Sequence, residues 1–254
     1  MFFGDKVVFL QFENEENNMM RYLMVLMALL FYRAGALAEE YPEAFPRMWY
    51  YDTEGLLVDG DESYSGGAPF EAHFSVDVEN VGDYYPLYEW QFRKDGQEAP
   101  FLTRYDAETE YRFAESGTFY VQCFVSFVHG KDTLEYEMDT PFIINIANSK
   151  LEVPNAFTPN DDGINDVFKV KDGYESIVEF HAAVFSRAGK KLYEWTDPAD
   201  GWDGTMNGHG GAKAPDGAYY FVMKARGADG LKYDRKMTIN LLRGYNESAT
   251  GGGK

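Results

Sequence analysis

Cysteine is almost absent: Cys123 is the single one in 254 residues. One thiol closes no intramolecular disulfide, so a disulfide-stapled scaffold is excluded and stability must come from packing. Basic charge is scarce too, with 23 Lys and Arg against 42 Asp and Glu and a formal net charge of −19. A surface of that sign repels phosphate backbones, so no nucleic-acid partner is expected. Histidine is limited to His73, His129, His181 and His209, which fall on different expected elements without the i,i+4 or finger spacing of a metal set. Gly-x-Ser-x-Gly, a phosphate-cradling loop and a dinucleotide fingerprint are all missing. Carboxylates are abundant, but solvated acidic faces account for abundance without pairing. No catalytic or cofactor-binding residue is assigned, and a non-catalytic chain is expected.

Long apolar runs are missing as well. The run from Tyr22 to Tyr32 is too short to cross a hydrocarbon core of about 30 Å. It follows Arg21 and precedes Ala36-Leu37-Ala38, which is the charge, apolar run and small-x-small order of a cleavable secretory leader. Residues 1–38 are therefore expected to be a leader and Glu39 the first mature residue. Asp5, Glu13, Glu15 and Glu16 do not suit the start of such a leader, so translation is expected to begin at Met19 or Met20. No transmembrane segment is expected in the mature chain.

Rings and turn formers dominate what remains. Aromatics make up 17% of the chain, with 19 Tyr, 20 Phe and 25 Gly, a composition that leans towards strands joined by turns. Phe119, Val121, Cys123 and Val125 alternate along one face of an expected strand, which makes Cys123 a core side chain. Tyr88, Trp90 and Phe92 do the same earlier, and Tyr219, Phe221, Met223 and Ala225 later. Asp95-Gly96, Ser116-Gly117 and His129-Gly130 punctuate the strands. Gly117 and Gly217 each launch an aromatic strand and are expected in a turn with positive φ or in tightly packed backbone. Short strands at this spacing predict an all-β chain of two tandem immunoglobulin-like β-sandwiches. Charge divides it in the same way. Residues 39–148 hold 23 acids and 6 bases, a net of −17, while residues 149–254 hold 15 acids and 14 bases, a net of −1. Trp49-Tyr50-Tyr51 and Tyr84-Tyr85 read as packing and strand-edge cover, with sugar stacking as the alternative.

Two segments carry a family resemblance. Ser65-Gly66-Gly67-Ala68-Pro69-Phe70, Phe74-Ser75, Tyr88-x-Trp90-x-Phe92 with Asp95-Gly96, Tyr111 and Gly117-Thr118-Phe119-Tyr120-Val121 resemble a PKD-type immunoglobulin-like domain. Gln91 stands where that family has Asp. The second segment holds Val153-Pro154-Asn155-Ala156-Phe157-Thr158-Pro159-Asn160-Asp161-Asp162-Gly163-Ile164-Asn165-Asp166. It continues with Gly201-Trp202-Asp203-Gly204, with Pro215-Asp216-Gly217-Ala218-Tyr219-Tyr220-Phe221, and with an apolar strand closing at Arg243. In order and spacing it is similar to the gliding motility-associated C-terminal domain, the type B sorting domain of the type IX secretion system. Ser186-Arg187-Ala188-Gly189 replaces that family's Asn-Arg-Trp-Gly turn, and residues beyond Arg243 read as a disordered tail.

The resemblance implies export to the cell surface or secretion, with the type IX translocon and outer-membrane sorting components as partners. It implies an adhesive or structural passenger in residues 39–148, whose ligand would be a glycan or a surface protein. The alternative is a carbohydrate-binding or enzymatic accessory protein exported by the same or a general route. One metal candidate stands apart. Asn160, Asp162, Asn165 and Asp166 surround Gly163 with hard oxygen donors in an order that partly echoes calcium loops. No Glu closes the loop, however, and Asx side chains cap turns without metal, so plain Asx-turns are the preferred expectation.

Overall fold

The computed structural model describes residues 41–60, 62–206 and 211–244, together with Met24 and Met27. The leader expected over 1–38 and the tail beyond 244 lie outside the described residues, those two methionines aside. Between residues 41 and 244 every described element is a strand or a turn. Among the described residues no helix is long and apolar enough to cross a membrane.

Ten strands come first: β1 (Glu43–Tyr51), β2 (Leu57–Asp59), β3 (Ser63–Gly66), β4 (Phe70–Glu79), β5 (Tyr85–Lys94), β6 (Leu102–Arg104), β7 (Glu108–Phe113), β8 (Gly117–His129), β9 (Asp132–Glu137) and β10 (Phe142–Ile146). They form one sheet in the order β2-β1-β4-β7 and a second in the order β3-β10-β8-β5-β6, with β9 also on β8. Alternation decides which face is buried. Along β8, Phe119, Val121, Cys123, Val125 and Phe127 are all buried while their neighbours are half-exposed. The two sheets meet through rings: Phe74 of β4 lies 5.8 Å from Trp90, 5.5 Å from Phe92 and 5.8 Å from Phe142. Each fully buried ring contributes about 1.5–3 kcal/mol. Burial also pushes the Cys123 thiol up to about 12, which leaves it a core hydrophobe at neutral pH.

The remaining strands are β11 (Ala156–Phe157), β12 (Ile177–Phe185), β13 (Lys191–Trp195), β14 (Gly217–Gly227) and β15 (Lys232–Leu241). They form one sheet in the order β11-β15-β14-β12-β13. The chain is thus all-β, with immunoglobulin-like sandwich layering in tandem. In the C-terminal part, however, the second layer is irregular chain held by isolated bridges such as Phe168–Trp202 and Thr205–Lys213. Gly117 and Gly217 sit at φ of 129° and 146°, positions that favour glycine.

The two cores touch. Ala228, in the β14–β15 turn, and Val178 of β12 pack against the first core. At the contact Ser176 is buried with φ of 52°. Its Oγ donates to the Ala147 carbonyl at 2.6 Å and accepts the Ala68 N–H at 3.1 Å. Its own carbonyl accepts the Ala228 N–H, and the Ala228 carbonyl accepts the Ser116 N–H. Small residues let the backbones come this close: a Cβ on Gly67 would lie 3.3 Å from the Ser176 nitrogen. Ser176→Ala strips the buried Ala68 N–H of its partner, while the part-buried Ala147 carbonyl keeps the Ser116 hydroxyl, and the lost bond costs about 1–3 kcal/mol. Scanning calorimetry of the full chain should show a lowered midpoint, and an unchanged thermogram would remove Ser176 from the joint.

Candidate functional site

The residues that carry the C-terminal resemblance converge on the inner face of the β11–β15 sheet. That face presents Phe180, Ala182 and Val184 from β12 and Tyr219, Phe221 and Met223 from β14, all buried. No regular sheet opposes it among the described residues. Segments 151–175, 196–206 and 211–216 cover it instead, and they insert Phe157, Phe168 and Trp202. Trp202 is the centre of this cover. Its ring lies 5.4 Å from Phe157 and 5.0 Å from Tyr219, and its Nε1–H donates to the Thr205 carbonyl at 2.7 Å.

Each neighbour of Trp202 has a separate reason to be there. Gly201 must lack a side chain, because a Cβ would lie 2.5 Å from the Phe168 carbonyl oxygen. That carbonyl accepts the Trp202 N–H, and the Trp202 carbonyl accepts the Phe168 N–H. Asp203 accepts from both the N–H and the hydroxyl of Thr205, at 3.0 and 2.7 Å. Gly204 takes φ of 79°, and a Cβ there would meet Arg243 Nη2 at 2.9 Å, Leu241 at 3.1 Å and Pro159 at 3.1 Å.

Arg243 closes the arrangement. Its Nη2 donates to the Gly204 carbonyl at 2.7 Å, its Nη1 donates to the Ala214 carbonyl, and its backbone N–H donates to Asp216 Oδ2 at 3.0 Å. A planar fork of donors suits two converging carbonyls in a way that a Lys ammonium does not. The hydroxyl of Tyr219 donates to the Pro215 carbonyl at 2.6 Å, in the manner of a tyrosine corner. Arg243 was legible only as the end of a pattern. That it holds two loop carbonyls is visible only in three dimensions.

The opening loop sits beside this cover, and all four oxygen-bearing candidates are brought together in it. Asp166 Oδ1 accepts the N–H groups of Asn160 and Asp161 at 2.9 and 2.8 Å, and its Oδ2 accepts that of Gly163 at 2.7 Å. Asp162 Oδ1 accepts the Ile164 N–H, and its Oδ2 accepts from Asn160 Nδ2. Asn160 Oδ1 accepts the Asp162 N–H at 3.1 Å. The Asn165 carbonyl accepts the Thr158 N–H at 2.9 Å. These bonds support turn chemistry, since the carboxylates close on the loop's own backbone. Desolvation raises the Asp166 pKa, but the N–H groups of Gly163, Asp161, Asn160 and Asp162 outweigh it, and the net shift is downward.

Elsewhere the aromatic candidates separate. Tyr50 packs edge-on against Tyr64 and Phe70, Trp49 stacks on His73 and Tyr84 meets His129, whereas Tyr51 and Tyr85 are exposed. His181 is within 2.6 Å of Glu194 on the outer face, and His209 lies outside the described residues.

Residues 151–241 match the family model of the CHU_C type IX secretion signal domain. No curated protein matches the chain. Among solved structures the chain is similar to Bacteroides ovatus mixed-linkage glucan utilization locus SGBP-B in complex with a mixed-linkage heptasaccharide, at 17% identity and a TM-score of 0.27 over 80% of this chain and 47% of that one. It is similar to dimeric latent PorU from Porphyromonas gingivalis at 12% identity and 0.24, over 81% and 20%. It is similar to a tetra-tandem repeat in the extending region of a large adhesion protein at 11% identity and 0.26, over 81% and 68%. The chain thus spans less than half of the first two.

Two outcomes test the site. Gly204→Ala forces a side chain into positive φ and into Arg243, which should cost about 1–3 kcal/mol in urea unfolding followed by tryptophan fluorescence. Asp166 has its folded pKa below the unfolded value, so its contribution is full above the unfolded carboxylate range and lost as pH falls through the lowered value. Asp166→Asn should therefore lower the thermal midpoint at neutral pH, and the gap from wild type should close in acid. Neither midpoint should move between millimolar calcium and excess chelator. Residues 151–241 form a type IX secretion signal domain, and that domain directs export to the cell surface or secretion.

Proposed function

We propose that the chain is an exported, non-catalytic protein in which residues 149–254 act as the address and residues 39–148 as the passenger. The observation that carries this reading is the constellation of Trp202 and Gly204, buried within the matched segment, and Arg243, half-buried just beyond it. It accounts for the secretion-signal hallmarks as parts of one folded cover. A secretion signal of this kind engages the secretion machinery, and the type IX translocon with outer-membrane sorting components is the proposed partner. The PKD-like passenger, net acidic and built as a two-sheet sandwich, suits an adhesive or structural role.

A second reading rests on one feature of the passenger. Tyr85 and Tyr105 are 69% and 68% exposed and border a groove of about 500 Å³ that also holds Glu89, Asp106 and Ser126. Exposed rings beside hydrogen-bonding carboxylates suit stacking against a sugar, as in a carbohydrate-binding accessory protein.

The address reading is tested by placing a fluorescent reporter between a secretory leader and residues 39–254, and comparing it with the same fusion ending at residue 148. The longer fusion should pass the outer membrane only in a host with the type IX machinery, and the shorter should remain inside. Equal export by a host lacking that machinery, or by both fusions, would overturn it.

A further inference from the structure

Outside the C-terminal cover, one cluster brings metal-ligating side chains together. Glu71, His73 and Glu110 each place a ligand atom within 4.8 Å of the others. Sequence spacing hides this set, because Glu110 is brought in by register: β4 pairs with β7 so that His73 stands opposite Glu110. Glu71 and His73 are two residues apart on β4, and the strand period of two puts both on the outer face. Phe70, Ala72 and Phe74, all buried, anchor β4 from the opposite face.

The imidazole is held in place. Trp49, opposite His73 in the β1–β4 register, stacks on it at 5.3 Å and 16°, and Tyr51 meets it edge-on at 6.3 Å. Glu71 Oε1 is 3.8 Å from Nε2 and Glu110 Oε2 is 3.3 Å from Nδ1. Arg112 opposes Glu71 in the register, yet among the described residues neither glutamate forms an ion pair with Lys or Arg. By contrast Arg47, on the same face, pairs with both Asp59 and Asp77. Two carboxylates therefore converge on one imidazole without a permanent cation between them, a like-charge arrangement that a divalent ion relieves.

The geometry points to a surface site for a borderline divalent transition metal such as Zn²⁺, held by His73, Glu71 and Glu110. One nitrogen and two carboxylate donors match that class, whereas calcium and magnesium favour all-oxygen sets. Two carboxylates balance the ion's charge, and three protein ligands leave a coordination position open to water or to a group on a partner. The ion would join the edge strand β7 to β4.

Calorimetric titration of zinc chloride into the full chain tests this. One site is expected, with affinity at least tenfold weaker in both His73→Gln and Glu110→Gln and kept in His181→Gln and Asp162→Asn. Zinc should also raise the thermal midpoint of the wild type by mass action and leave that of His73→Gln unmoved. Glu110, His181 and Asp162 are exposed and His73 is half-buried on the outer face, and circular dichroism should show each variant folded. No binding up to millimolar zinc, equal affinity in His73→Gln, or loss in His181→Gln instead would overturn the proposal.

Discussion

The C-terminal unit depends on one constraint: a five-stranded sheet buries its apolar face under chain that forms almost no sheet of its own. Regular strands satisfy their backbone groups through ladders, and many side chains serve equally well along them. Irregular chain in a buried layer has no such economy, since each N–H and C=O needs an individual partner. Here the partners are particular residues. The Phe168–Trp202 bridge pairs two segments, Asp203 holds the Thr205 N–H, and Arg243 takes the Gly204 and Ala214 carbonyls. Magnitudes put burial first. Exposed pairs such as Arg226–Glu179 are screened by solvent and contribute little, while each fully buried ring contributes about 1.5–3 kcal/mol.

This explains why the two halves of the chain were legible in different ways. In the first ten strands the readable signal was alternation, and it located β8 and β5 because buried and open faces differ there. β1 escaped it. Pro46 removes a ladder donor, and Phe45 is exposed, so the run does not look like a strand. It is tolerated because β2 pairs only Trp49–Tyr51, leaving Pro46 on an open edge. The start of β15 is hidden for a related reason: Lys232–Lys236 is polar apart from Tyr233, and only its register with Lys232 to Asp234 opposite Arg226 to Lys224 reveals a strand. In the C-terminal unit the signal was the fixed identity of turn and core residues. Those identities were readable, but the path of the irregular cover was not, because alternation carries no information where there is no ladder. The layer that covers the C-terminal sheet is therefore built of turns.

The joint between the units was the least legible part. The change in charge density marks two surfaces, but charge says nothing about whether they dock. Ser176 looks in sequence like any turn residue. Its φ of 52° favours glycine, yet glycine would leave the Ala68 N–H and the Ala147 carbonyl without the hydroxyl they share. Serine is the small residue that supplies both an acceptor and a donor, and the backbone strain of roughly 1–3 kcal/mol is offset by one buried and one part-buried hydrogen bond worth about 1 kcal/mol each. Gly67, Ala68, Ala147 and Ala228 supply the close approach around it. The joint is a fit of shape and backbone, with little charge in it, which is how an acidic unit docks on a nearly neutral one.

The position of the joint bears on what each end of the C-terminal unit is left to present. β14 runs from Gly217 to Gly227 and returns as β15 from Lys232 to Leu241. The joint uses the turn at the Gly227–Lys232 end, through Ala228. The Gly204–Arg243 closure lies at the other end, beside Gly217 and Leu241. Ten steps of about 3.3 Å separate the two, a distance at which energetic effects add with little coupling. One sheet therefore docks the N-terminal unit at one end of its central strands and holds the cover at the other end. The N-terminal unit docks away from Trp202, Gly204 and Arg243, so their closure is energetically independent of the joint.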